Sequence, residues 1–174
     1  AIGILSNIDE DKQRAQKLLE KAQRDPLTQY YNKETAQTLI QDWLSTQPVQ
    51  NALMIIDIDD FKIVNDTLGH LFGDAFLIEA TSRIRQLFRS EDILGRVGGD
   101  EFLAYVTDRQ DPAVRKCVKD FVSIVGSAGY SVAVGVATES AGGIDVGALC
   151  RKAEKRMYLD KEEHYRVLRE QQGR

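Results

Sequence analysis

The apolar run from Ala52 to Ile58 ends in a cluster of acids, Asp57, Asp59 and Asp60. A short run of this kind reads as a strand buried on both faces. Carboxylates at the mouth of such a strand are costly unless they are solvated, paired or bound to a cation. The chain therefore needs a buried strand whose C-terminal end opens onto a polar site. Side chains alternate along a strand, which assigns Asp57 and Asp59 to one face.

The segments around that strand supply its cover. The pattern predicts helices over 7–24, 33–46, 71–89, 113–125 and 144–168, and further strands over 93–97, 102–106 and 130–137. In the 71–89 helix, Phe72, Phe76, Leu77, Ala80, Ile84 and Leu87 recur at helical spacing. The mixed order suggests an α/β (α+β) fold, a central and mostly antiparallel sheet flanked by helices. Asp25-Pro26 separates the first helix from the rest, because the residue before proline is driven out of the α region. Residues 1–24 form a linker or signalling helix and 25–174 the main domain. The 1–24 segment carries a thin stripe of Ile8, Ala15, Leu19 and Ala22, which suits either a dimerising helix or a solvated connector.

A second acidic cluster follows a glycine pair: Gly98-Gly99-Asp100-Glu101-Phe102. The glycines allow positive φ at both central positions of a tight hairpin and let a phosphate approach the backbone. If the two strands are neighbours, Asp57 and Asp100 converge. Oxygen ligands of this kind suit Mg²⁺ or Mn²⁺. Taken singly, each cluster also fits acids facing water. The stretch from Phe61 to Asp74 adds Lys62, suited to a phosphate. It also adds Asn65 and Asp74, an amide and a carboxylate able to read the donor pair of a guanine edge. His70 has no partner in view.

With 174 residues, a net charge of −4 and 29% charged residues, the chain has no basic excess to favour nucleic acid or direct membrane contact. Its longest apolar run is too short to span a bilayer, and its start lacks signal-peptide order. The expected compartment is the cytoplasm, whether or not a longer parent protein is membrane-attached. Cys117 and Cys150 have no metal-type spacing and read as buried free thiols.

Four blocks, in order, resemble the GGDEF family of diguanylate cyclases. They are Asp25-Pro26-Leu27-Thr28 with Tyr31-Asn32-Lys33; Asp57-Ile58-Asp59 with Phe61-Lys62, Asn65-Asp66, Gly69-His70 and Gly73-Asp74; Arg96 with Gly98–Phe102; and Ala153, Met157, Tyr158 and Lys161. The resemblance implies a cyclase-like palm fold and condensation of two GTP into cyclic di-GMP and two pyrophosphates by an antiparallel homodimer. Asp57, the Ile58 carbonyl and Asp100 would bind metal, and Asp100 or Glu101 would help deprotonate the attacking hydroxyl. Asn65 and Asp74 would hold guanine, with His70, Gly98 and Gly99 in the same substrate site. Phe61, Lys62 and Lys161 would hold phosphates. Arg89-Ser90-Glu91-Asp92 has the form of the family's product-inhibition motif, with Arg89 and Asp92 as ligands of cyclic di-GMP. The alternative is a catalytically silent domain that senses GTP or cyclic di-GMP.

The chain departs from the family in three places. Gln29-Tyr30 replaces the usual Gly-Leu, and Ala133 a common serine. After Lys161 the chain reads Glu162-Glu163-His164-Tyr165-Arg166 in place of Gly-Arg-Asn, leaving Arg166 one position out of register. Residues 2–12 resemble the last strand of a PAS sensor entering its linker, which implies an upstream sensor domain.

Overall fold

The computed structural model describes residues 2–46, 50–107, 131–140 and 145–172, with 114, 116, 118–120, 122, 123 and 126. The elements run α1 (Ile2–Ala22), β1 (Tyr31–Asn32), α2 (Lys33–Thr46), β2 (Gln50–Ile58), α3 (Phe61–Leu68), α4 (His70–Arg85), β3 (Ile93–Arg96), β4 (Glu101–Thr107), β5 (Val132–Ser140) and α5 (Val146–Gln172). The described residues between 114 and 126 are helical, as the pattern predicts; Cys117 lies outside the described residues.

The five strands form one sheet in the order β1-β3-β4-β2-β5. Every pairing is antiparallel except β1 with β3. The acidic strand β2 thus has β4 on one side and β5 on the other. Alternation along the strands feeds two cores. Met54, Ile56, Phe102 and Ala104 pack with Phe76, Leu77 and Ile84 of α4 on one face. Leu53, Ile55, Leu103 and Tyr105 pack with Ile40 of α2 and with Leu149 and Met157 of α5 on the other. Gly135 lets α5 lie close on β5, since a Cβ there would stand 1.9 Å from the Ala153 carbonyl oxygen. Cys150 is a buried free thiol, its pKa pushed up by burial.

Both sheet edges are blunted. β1 is two residues long. On the outer side of β5, the Asp160 carboxylate accepts the Val134 N–H at 3.1 Å, and the Arg156 guanidinium donates to the Val136 carbonyl.

Several expectations need correction. Residues 2–12, read as a sensor strand entering its linker, are helical from Ile2 onward; with no partner strand, a helix satisfies their backbone groups locally. The polar stretch after β2 contains a helix, α3, that its composition hid. Phe72 is 45% exposed, and Phe76 is the first of its series to be buried. Among the described glycines only Gly69 has positive φ, so Gly98 and Gly99 do not form the tight turn that the glycine pair suggests.

Candidate active site at the end of the central strands

The register of β2 and β4 sets Asp57 directly opposite Glu101. One step on, the Ile58 N–H donates to the Asp100 carbonyl at 3.3 Å. Opposed residues of antiparallel strands lie about 5 Å apart, so Asp57, Asp100 and Glu101 gather at one end of the sheet. From α5, Lys161 donates its Nζ to Asp57 Oδ1 at 2.5 Å. Asp59 turns away to the start of β5, where the Ser131 hydroxyl donates to its Oδ2 at 2.6 Å.

This end of the sheet is electrostatically strained. Burial, followed by the Asp57 charge, pushes the Asp100 carboxyl above the usual aspartate range. Burial, Asp57 and then Asp100 push Glu101 up in the same way. Burial works against the Lys161 ammonium, but its hydrogen bond to Asp57 and the charges of Asp57 and Asp59 outweigh that and hold its pKa above normal. One ammonium thus faces three clustered carboxyls, and a further cation is favoured there. Among the described residues no three carboxylate, imidazole or thiolate groups form a metal cage by themselves. Mg²⁺ takes only one or two protein carboxylates, together with water and substrate phosphates. Asp57 and Asp100, with the Ile58 carbonyl, fit that share of its ligands.

The hairpin is held by a brace. Arg96, the last residue of β3, donates to the carbonyls of Gly98 (3.2 Å) and Gly99 (2.7 and 3.2 Å). Its other face pairs with Asp25 at 3.1 Å. Asp25 also accepts the Thr28 N–H at 2.8 Å and the Thr28 hydroxyl at 2.7 Å. Burial raises the Asp25 pKa, but the bonds from Thr28 and Arg96 outweigh it and hold the carboxyl below normal. The entry block and the hairpin, separate in sequence, are one mechanical unit. The three-residue spacing of Asp25 and Thr28 was the available signal for half of it; the pairing with Arg96 had none.

The pair expected to read guanine, Asn65 and Asp74, lies on α3 and α4. Asn65 Oδ1 is buried without a hydrogen-bond partner. It sits over Gly73, where a Cβ would lie 1.9 Å away. His70 opens α4 and Asp74 lies one turn further on; both are exposed. Lys62 is exposed, whereas the Phe61 ring packs on Phe76, with centroids 6.0 Å apart, leaving only the Phe61 backbone for a phosphate. Asp60 precedes α3 with φ 57° and makes no side-chain cap; its carboxylate instead accepts the Tyr165 hydroxyl at 3.0 Å. Burial, then that hydrogen bond, raises the Tyr165 pKa. Nothing in the sequence reading pointed to Tyr165. Arg166 pairs with Glu163 on its own helix at 2.6 Å.

Arg89 and Asp92 stand apart from this centre, beyond the C-terminal end of α4. The Asp92 carboxylate is buried and accepts the Arg89 N–H at 2.8 Å, while the Arg89 side chain is exposed. Asp92 also lines a cleft of about 690 Å³ with Arg24, Tyr30, Arg85 and Leu94.

Residues 22–166 match the family model described as diguanylate cyclase, GGDEF domain. The probable diguanylate cyclase DgcE of Escherichia coli is 33% identical over 70% of this chain and 11% of its own length. The cyclic di-GMP phosphodiesterase PdeR of the same species is 28% identical over 90% of this chain and 25% of its own. The chain therefore spans a quarter or less of these relatives. A microbial GGDEF domain solved with cyclic di-GMP superposes with a TM-score of 0.77 at 30% identity, covering 84% of this chain and 94% of that one.

Proposed function

Given that this chain belongs to the GGDEF family, we propose that it is an active diguanylate cyclase that joins two GTP into cyclic di-GMP with release of two pyrophosphates. The observation carrying this reading is the convergence of Asp57, Asp100 and Glu101 at one sheet end beneath Lys161. A domain that only senses cyclic di-GMP has no use for a strained cluster of acids that binding of a cation would relieve.

In this mechanism Asn65 and Asp74 fix the guanine, and the α3 N-terminus with Lys62 and Lys161 orients the phosphates. Asp57, the Ile58 carbonyl and Asp100 would hold Mg²⁺ or Mn²⁺, which when bound neutralises triphosphate charge. Glu101 or Asp100 accepts the proton of the attacking 3′-hydroxyl. Most of the rate gain comes from alignment and charge neutralisation. One domain holds one GTP, so the active form is a homodimer. Product binds back at Arg89 and Asp92.

The deciding measurement is incubation with GTP and Mg²⁺ followed by nucleotide separation. Cyclic di-GMP should appear with pyrophosphate, and ATP should not substitute. GTP or cyclic di-GMP binding without turnover, even at high protein concentration, would support the silent-sensor reading instead. In the active enzyme Arg89→Ala should weaken product inhibition without lowering the initial rate. An unchanged inhibition curve would remove Arg89 from that site.

A further inference from the structure

We infer that Tyr165 is a positioning residue for the substrate phosphates, acting through Asp60. The inference rests on the cyclase reading above, which assigns the first turn of α3 to the triphosphate.

Aspartate ordinarily caps a helix by accepting N–H bonds from the first turn. Asp60 stands at that position before α3, yet its carboxylate makes no cap bond. Its backbone is left-handed, at φ 57°, and its carbonyl alone serves the helix, accepting from Ile63 (2.8 Å) and Val64 (3.2 Å). The carboxylate is engaged elsewhere, by the Tyr165 hydroxyl at 3.0 Å. An Asp60 carboxylate swung into the cap would place negative charge on the Lys62 and Ile63 donors, the first of which a phosphate must reach.

The source of the hydroxyl is the unbroken course of α5. After Lys161 the chain reads Glu162-Glu163-His164-Tyr165, with no glycine to stop the helix, and α5 continues to Gln172. Tyr165 therefore follows Lys161 by one helical turn on the same face. The two side chains grip Asp57 and Asp60, at the two ends of the acidic run. Lys161 engages an acid at the proposed catalytic centre, while Tyr165 withholds an acid from the phosphate turn.

Tyr165→Phe removes only the hydroxyl. In the nucleotide-free chain it should shift the Lys62 amide proton downfield and slow its exchange, as Asp60 takes up the cap. With GTP it should raise KM three- to tenfold and leave kcat within twofold. Asp60→Gly tolerates the left-handed backbone and lacks the carboxylate, so Asp60→Gly/Tyr165→Phe should return KM to the value of Asp60→Gly alone. Unchanged amide signals in Tyr165→Phe overturn the latch, whatever the activity. A shifted amide with unchanged KM, or a KM defect that Asp60→Gly does not rescue, overturns the positioning role. Absence of any turnover in the wild-type chain removes the cyclase reading and the phosphate role with it. In that case the amide signals alone show whether the latch exists.

Discussion

Asp57 lies between Lys161 and the hairpin acids, and these two kinds of neighbour oppose each other. Lys161 stabilises its charge, while Asp100 and Glu101 are raised by it. Asp57→Asn removes both effects together. The fold should survive within about 2 kcal/mol, since a partly exposed ion pair is lost but a repulsion is relieved. Turnover should fall at least about a hundredfold, as expected when a metal's ligand environment is damaged. Circular dichroism melts and product formation, measured on the same sample, separate the two effects; near-normal turnover would exclude Asp57 from the site. Asp25 gives a pH prediction. Its carboxyl is held below the ordinary value, so its contribution is complete above about pH 4 and is lost as the pH falls through its lowered folded-state pKa. Asp25→Asn should cost about 1–2 kcal/mol at pH 7 and much less near pH 2. Urea melts at the two pH values check this, and an equal loss at both would show that the charge of Asp25 is not what braces the hairpin.

At the level of elements, strong periodicity translated directly. Lys33–Thr46 is helical over the range its spacing predicts, and β2, β3 and β4 differ from their expected bounds by at most two residues at either end. The failures have physical reasons. β1 is too short for any pattern and exists only because β3 lies beside it. Helix α3 is only eight residues long, its stability borrowed from Phe61 buried against α4. The resemblance included Asp25 and Arg96 but not their pairing, and it missed Tyr165 with Asp60; both pairs join residues far apart in the chain, and no local spacing encodes them. The contact between α3 and α4 offers its own test. A Cβ at Gly73 would collide with Asn65 Oδ1, while alanine in a helix gains about 0.5–1 kcal/mol over glycine. Gly73→Ala should therefore leave the melting temperature within a few degrees and weaken GTP binding at least tenfold. Undiminished GTP affinity would mean that Asn65 does not read the base from this position.

For the whole molecule, the proposed reaction sets a limit that the fold does not remove: each domain supplies half of the chemistry. At concentrations well below its dimerisation constant, the initial rate should rise with the square of protein concentration. A rate linear in protein down to nanomolar levels, with a monomer in sedimentation, would contradict the two-domain reaction. Among the described residues no helix is long and apolar enough to cross a membrane, and every side chain described on α1 is exposed. The sheet edges acquire a meaning in this setting. On the proposed reaction the domain acts by meeting its own copies at high local concentration, where open strands would zip together into fibrils. With a two-residue strand at one border and the Arg156–Asp160 cover along the other, encounters between copies are steered away from backbone pairing. Association can then stay reversible, which is what a signal that must be switched off requires.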